Sequence, residues 1–169
     1  MLDCFEGEVL ENPEEHSWYV PKQGYRLSKV EMWKDKYNTY GFKVTFSPES
    51  AIKDVDGMVP LIQMFGTKDR DVNFESLDID YELSSLGICV DYHPTRLTYV
   101  DFEGFEFTDN DGNVETLSPD CSGDFEKIDL TDRKLIGFKV VVSDFIRERR
   151  NIRTICPIVH NNEKSELKV

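Results

Sequence analysis

The stretch KLIGFKVVVSDFIRERRNIRTICPIV, residues 134–159, decides the fold, because it reads as two strand-like runs separated by charge. In the first run Ile136, Phe138, Val140 and Val142 alternate with Gly137, Lys139, Val141 and Ser143, and a period of two puts one apolar row on a buried face. The second run, Ile152 to Val159, is apolar at Ile152, Ile155, Ile158 and Val159. It carries Pro157, whose missing N–H predicts an edge or terminal strand. Between them Asp144 to Asn151 reads as a loop holding Arg147, Arg149 and Arg150 against Asp144 and Glu148. This loop is the first candidate for a working surface, and it contains no catalytic constellation.

Working outward from it, the same pattern recurs. Phe42, Val44 and Phe46 alternate with Lys43 and Thr45, after a strand marked by Leu27, Val30, Met32 and Trp33. Ser47 to Gly57 reads as a loop with at most one helical turn, and Val59 to Gly66 as a third strand. A second unit opens near Phe74, with Leu77, Ile79, Tyr81 and Leu83 alternating as one run, followed by Leu86, Ile88, Val90 and Tyr92. The run from Arg96 to Thr108 shifts its apolar phase beside Gly104, from Val100 and Phe102 to Phe105 and Phe107, which predicts a bulge. Asp109 to Asn113 sets acidic oxygens at alternate positions but lacks the later oxygens of a calcium loop, so Asp-Gly is read as a hairpin turn. No segment sustains a period of 3.6. The chain is therefore expected to be all-β, with about ten to twelve short strands in three loosely repeated units.

Composition bounds the function. With 169 residues, eleven Phe and seven Tyr, the chain can bury a real core as one domain. A net charge of −13 argues against nucleic acid, which is bound mainly by neutralising phosphates. The charge is uneven: Asp71 to Glu126 has fifteen acidic residues and the single basic Arg96, whereas Arg147 to Arg153 has four Arg and one Glu. Such a run is commonly just solvated, and it also suits docking on an acidic partner or a second copy. Residues 1–23, with six acidic and one basic residue, read as an acidic extension in which Trp18, Tyr19 and Val20 supply anchors. Cys4, Cys89, Cys121 and Cys156 form no close pair, so zinc is not expected. His16, His93 and His160 are scattered, and no phosphate loop or nucleophile elbow is present. With no signal-peptide pattern and no membrane-length apolar run, the expectation is an intracellular, cytoplasmic chain with free thiols.

The runs RLTYVDFEGFEFTDNDGN, FEKIDLTDRKLIGFKVVVSD and NIRTICPIV resemble the last two Greek keys of the jacalin-related lectins, and GYRLSKVEMWKDKYNTYGFKVTFSPES is similar to their first. The resemblance spans about residues 24–160, leaving 161–169 as a tail, and includes the Ile136-Gly137-Phe138 triplet. It implies a β-prism of three four-stranded sheets. It also implies sugar binding by a Gly-x-x-x-Asp loop between the final two strands. The apolar frame puts Arg153 where that Asp would stand, and a guanidinium has donors but no acceptor. Two readings follow. The first is a non-catalytic module without cofactor that contacts an acidic protein partner, or itself, through Arg147, Arg149, Arg150 and Arg153. The alternative is a lectin that grips glycan with Asp144 and Asn151.

Overall fold

The computed structural model describes residues 5–6, 11–21, 24–34, 39–49, 59–67, 73–92, 100–117, 124–145 and 149–161. Among them are twelve strands: β1 (Phe5–Glu6), β2 (Glu11–Tyr19), β3 (Tyr25–Lys34), β4 (Thr39–Pro48), β5 (Leu61–Gly66), β6 (Asn73–Asp78), β7 (Leu83–Tyr92), β8 (Val100–Asp109), β9 (Val114–Leu117), β10 (Asp124–Asp129), β11 (Arg133–Phe145) and β12 (Arg149–Asn161). They form three four-stranded antiparallel sheets in the orders β5-β4-β3-β6, β10-β7-β8-β9 and β1-β12-β11-β2. Each sheet has a long central hairpin flanked by shorter strands, as expected of a β-prism.

The threefold recurrence is carried by bulges. In each central hairpin one residue near the start of the first strand has no partner across the ladder: Ser28 in β3, Ser84 in β7 and Ile136 in β11. The carbonyl of each accepts a hydrogen bond from the residue that follows the sheet's flanking strand: Ile79 N–H to Ser28 at 2.8 Å, Leu130 N–H to Ser84 at 2.8 Å and Val20 N–H to Ile136 at 2.9 Å. Ile79, Leu130 and Val20 are all buried. A second bulge recurs in the partner strand, at Tyr40, Glu103 and Arg153. Glu103 adjoins Gly104, where the phase shift predicted a bulge.

Alternation points one row of each sheet inward, and the three rows meet around Phe42. Its ring lies 5.0 Å from Phe65 of the same sheet, 5.4 Å from Phe105 of the second and 5.3 Å from Phe138 of the third. All four rings are buried to 1 % exposure or less. Edge-on packing of this kind adds to the area effect of burying large rings.

Four expectations are corrected. The described part of residues 1–23 is not an extension, because β1 pairs with β12 and β2 with β11, completing the third sheet. The reason they looked like one is that β2 is an edge strand: Pro13 to Ser17 are exposed and polar, as suits an edge kept free of aggregation, so the strand shows no apolar alternation. The run from Phe74 to Leu83 is two strands, β6 in the first sheet and β7 in the second, linked by residues 79–82. Asp144 to Asn151 is mostly ladder, with Asp144 paired to Arg150 and Phe145 to Arg149, leaving only 146–148 between the strands. Finally, β12 is internal rather than an edge, lying between β1 and β11 with Pro157 opposite Phe138. The expectation of at most one helical turn around Ser50 to Val55 falls on residues outside those described.

The Asp109–Asn113 turn matches its hairpin reading. Asp109 Oδ1 accepts the backbone N–H groups of Asp111 and Asn113, each at 2.9 Å, and Oδ2 accepts Asn113 Nδ2. Gly112 takes φ 83°, a conformation open to Gly at no steric cost.

Candidate functional site

Two regions of the prism bear on function, one at each end. At the first, the β11–β12 hairpin closes with the pairs Ser143–Asn151, Asp144–Arg150 and Phe145–Arg149. On the other side of β11, Asp144 stands opposite Glu11 of β2. The registers of β2 against β11 and of β12 against β11 both run to this end of the sheet. Asp144, Arg149, Arg150 and Asn151 are thus neighbours along one ladder, while Arg147 lies outside the described residues.

Arg153 does not join them. It is the extra residue of the second bulge, unpaired opposite Val141 and Val142, and is only 3 % exposed. Its guanidinium therefore cannot present a charged face to a partner.

At the opposite end, β3, β7 and β11 begin around a half-open cavity of about 460 Å³. Its lining comes from three segments of chain: Arg26 and Leu27 with Glu49 from the first sheet, Asp80 to Leu83 from the link into the second, and Leu130 with Arg133 to Leu135 from the turn into the third. Arg26 is fixed by donating Nη1 to the Ile79 carbonyl at 3.0 Å, and Arg133 by donating Nε to the Asp129 carbonyl at 3.0 Å. Lys134 is ion-paired with Glu49, and burial holds its ammonium below the ordinary lysine range. Tyr81 is pushed up to about 12, first by burial and then by the negative charge of Glu115. Asp80 and Glu82 flank Tyr81 and are exposed. Sequence reasoning missed this cavity, since its residues lie on three distant segments and share no spacing.

The thiol expectation is also corrected: Cys89 and Cys156 are both disulfide-bonded, and among the described residues no cysteine is free. Pairing of distant cysteines is set by the fold, so their wide spacing concealed it. Among the described residues no group of three or more His, Cys, Asp or Glu is placed to hold a metal ion, and no helix is long and apolar enough to cross a membrane.

Three Greek-key sheets with this order define a β-prism of the jacalin type, the fold of the jacalin-related lectins. Frutapin, a lectin from Artocarpus incisa, is similar with a TM-score of 0.62 at 12% identity, over 93% of each chain. Artocarpin in complex with mannotriose gives 0.61 at 13% identity, over 94% of this chain and 95% of that one. Calsepa lectin in complex with a biantennary N-glycan gives 0.61 at 10% identity, over 96% and 98%. No protein-family model matches the sequence, and no curated protein does.

Proposed function

We propose that this chain is a non-catalytic carbohydrate-binding β-prism whose glycan contact is made at the β11–β12 hairpin, with Asp144 as the acceptor of sugar hydroxyl hydrogens and Asn151 beside it. The observation that carries the reading is the pairing of Asp144 with Arg150 in the last described rungs of that hairpin. A carboxylate accepts from hydroxyls where a guanidinium cannot, so Asp144 supplies the chemistry that Arg153 lacks. Saccharides occupy the fold's other holders by name, mannotriose in artocarpin and a biantennary N-glycan in Calsepa lectin, which makes glycan the natural ligand class to test.

Two supports of the protein-contact reading have weakened. One was a reducing compartment, in which displayed glycans would not be met. Disulfide-bonded Cys89 and Cys156 instead suit an oxidising environment. The other was a four-arginine loop, of which Arg153 is now inside the molecule. Arg149 and Arg150 still stand side by side on β12 in a chain of net charge −13, and they favour docking on an acidic protein or a second copy as the alternative.

A glycan array carrying mannotriose and biantennary N-glycans tests the proposal. Saturable binding that Asp144→Ala weakens more than about tenfold is expected, the loss of a hydrogen bond to a charged group. The proposal fails if no glycan binds, and the alternative gains if Arg149→Glu with Arg150→Glu removes a co-purifying protein.

A further inference from the structure

The cavity at the far end of the prism has no part in the hairpin site, because β11 begins at the cavity and ends at the hairpin. We infer that it is a second saccharide site, one that takes a neutral sugar of one or two rings. This inference rests on the carbohydrate-binding reading above and extends it to a different set of residues.

The argument starts from charge. The lining holds three acids, Glu49, Asp80 and Glu82, and three bases, Arg26, Arg133 and Lys134, so the cavity is formally balanced. An anion would leave the carboxylates of Asp80 and Glu82 facing like charge, and a cation would do the same to Arg26 and Arg133. A hydroxyl group meets both demands, because it donates to a carboxylate and accepts from a guanidinium. Neighbouring hydroxyls of a sugar can therefore engage both kinds of lining without carrying charge into the cavity.

Shape and order agree with charge. A volume of about 460 Å³ lies within the range of small-ligand sites. Leu27, Leu83, Leu130 and Leu135 supply apolar lining for the C–H face of a ring, and the first, third and fourth of these are buried. The donors are pre-set: Arg26 and Arg133 are each held by a backbone carbonyl, and Lys134 is held by Glu49, so little side-chain freedom remains to be lost on binding. Asp80 and Glu82, by contrast, are exposed and line the cavity, which leaves their oxygens accessible to a ligand. A consequence is that a single chain would hold glycans at both ends and could bridge two of them, gaining avidity without oligomerising.

The test uses the full chain on an array of neutral mono- and oligosaccharides, comparing wild type, Asp144→Ala, and the double variant Asp80→Asn with Glu82→Gln. Both carboxylates are exposed, so the double variant is expected to keep its circular dichroism spectrum and melting temperature. The expected result is at least one neutral saccharide whose binding falls more than about tenfold in the double variant and survives in Asp144→Ala. Binding that Asp144→Ala abolishes and the double variant leaves untouched would overturn the second site while upholding the hairpin reading. Titration with glycine is the control for a zwitterionic ligand: heat that vanishes in the double variant, with no saccharide affected, also overturns the inference.

Discussion

The rings of Phe42 and Phe138 meet edge to face, with centroids 5.3 Å apart and planes at 81°, and this contact joins the first sheet to the third at the centre of the prism. Phe42 also touches Phe65, Phe102 and Phe105, so its ring is shared by all three sheets. Truncation to Ala would leave a cavity that three rigid sheets cannot close by moving together. Phe42→Ala is expected to cost about 3–5 kcal/mol, read as a lower denaturation midpoint with an unchanged slope.

Gly137 lies where β2 crosses closest to β11. A Cβ built there would come within 2.0 Å of the Trp18 carbonyl oxygen and 2.6 Å of the Tyr19 Cα, both backbone atoms that cannot step aside. Gly137→Ala is therefore expected to displace β2 and to destabilise by about 2–3 kcal/mol. Trp18, packed 5.8 Å from Phe46, reports the event as a red shift of tryptophan emission under native conditions. An unshifted spectrum and unchanged stability would refute this account of the triplet.

Cys89 and Cys156 are disulfide-bonded on two different sheets. Reduction should remove about 2–4 kcal/mol per bridge. For a chain of this size that lowers the melting temperature by roughly 5–15 °C, measured with and without a phosphine reductant. Retention of the melting temperature after complete reduction would show that the bridges contribute nothing to stability.

Acid sensitivity should be concentrated in two turns. The Asp109 carboxyl is held below the usual range chiefly by the Asn113 side chain, and that of Asp129 by the Thr131 side chain and N–H. A carboxyl with a depressed folded value adds stability that is present above the unfolded value, near 4, and is lost as the pH falls through the folded one. Asp109→Asn with Asp129→Asn is thus expected to lower stability at neutral pH and to flatten the acid limb of the pH–stability curve. Parallel curves for the variant and wild type below pH 4 would contradict this.

What was legible in the sequence follows from where each residue faces. Phe42, Val44 and Phe46 alternate with the partly exposed Lys43 and Thr45, so period two is written directly into that strand. Glu103 beside Gly104 was legible for the same reason, since a bulge shifts that period by one. β2 was not legible, because an edge strand with exposed Pro13, Glu14, Glu15, His16 and Ser17 has no apolar row to read. The Asp144–Arg150 rung was hidden likewise, its charged residues imitating a loop. Arg153 misled because the bulge that buries it is invisible without its partner strand. Disulfides and the far cavity depend on contacts between residues far apart in the chain, which no local pattern encodes.

The third sheet takes β1 and β2 from the start of the chain and β11 and β12 from its end. During synthesis, therefore, two faces of the prism can assemble while the remaining one waits, its early strands having no ladder partner until β11 and β12 have emerged. The N-terminal segment acts as a clasp, and severing it would strip the outer strands from the very sheet that carries Asp144.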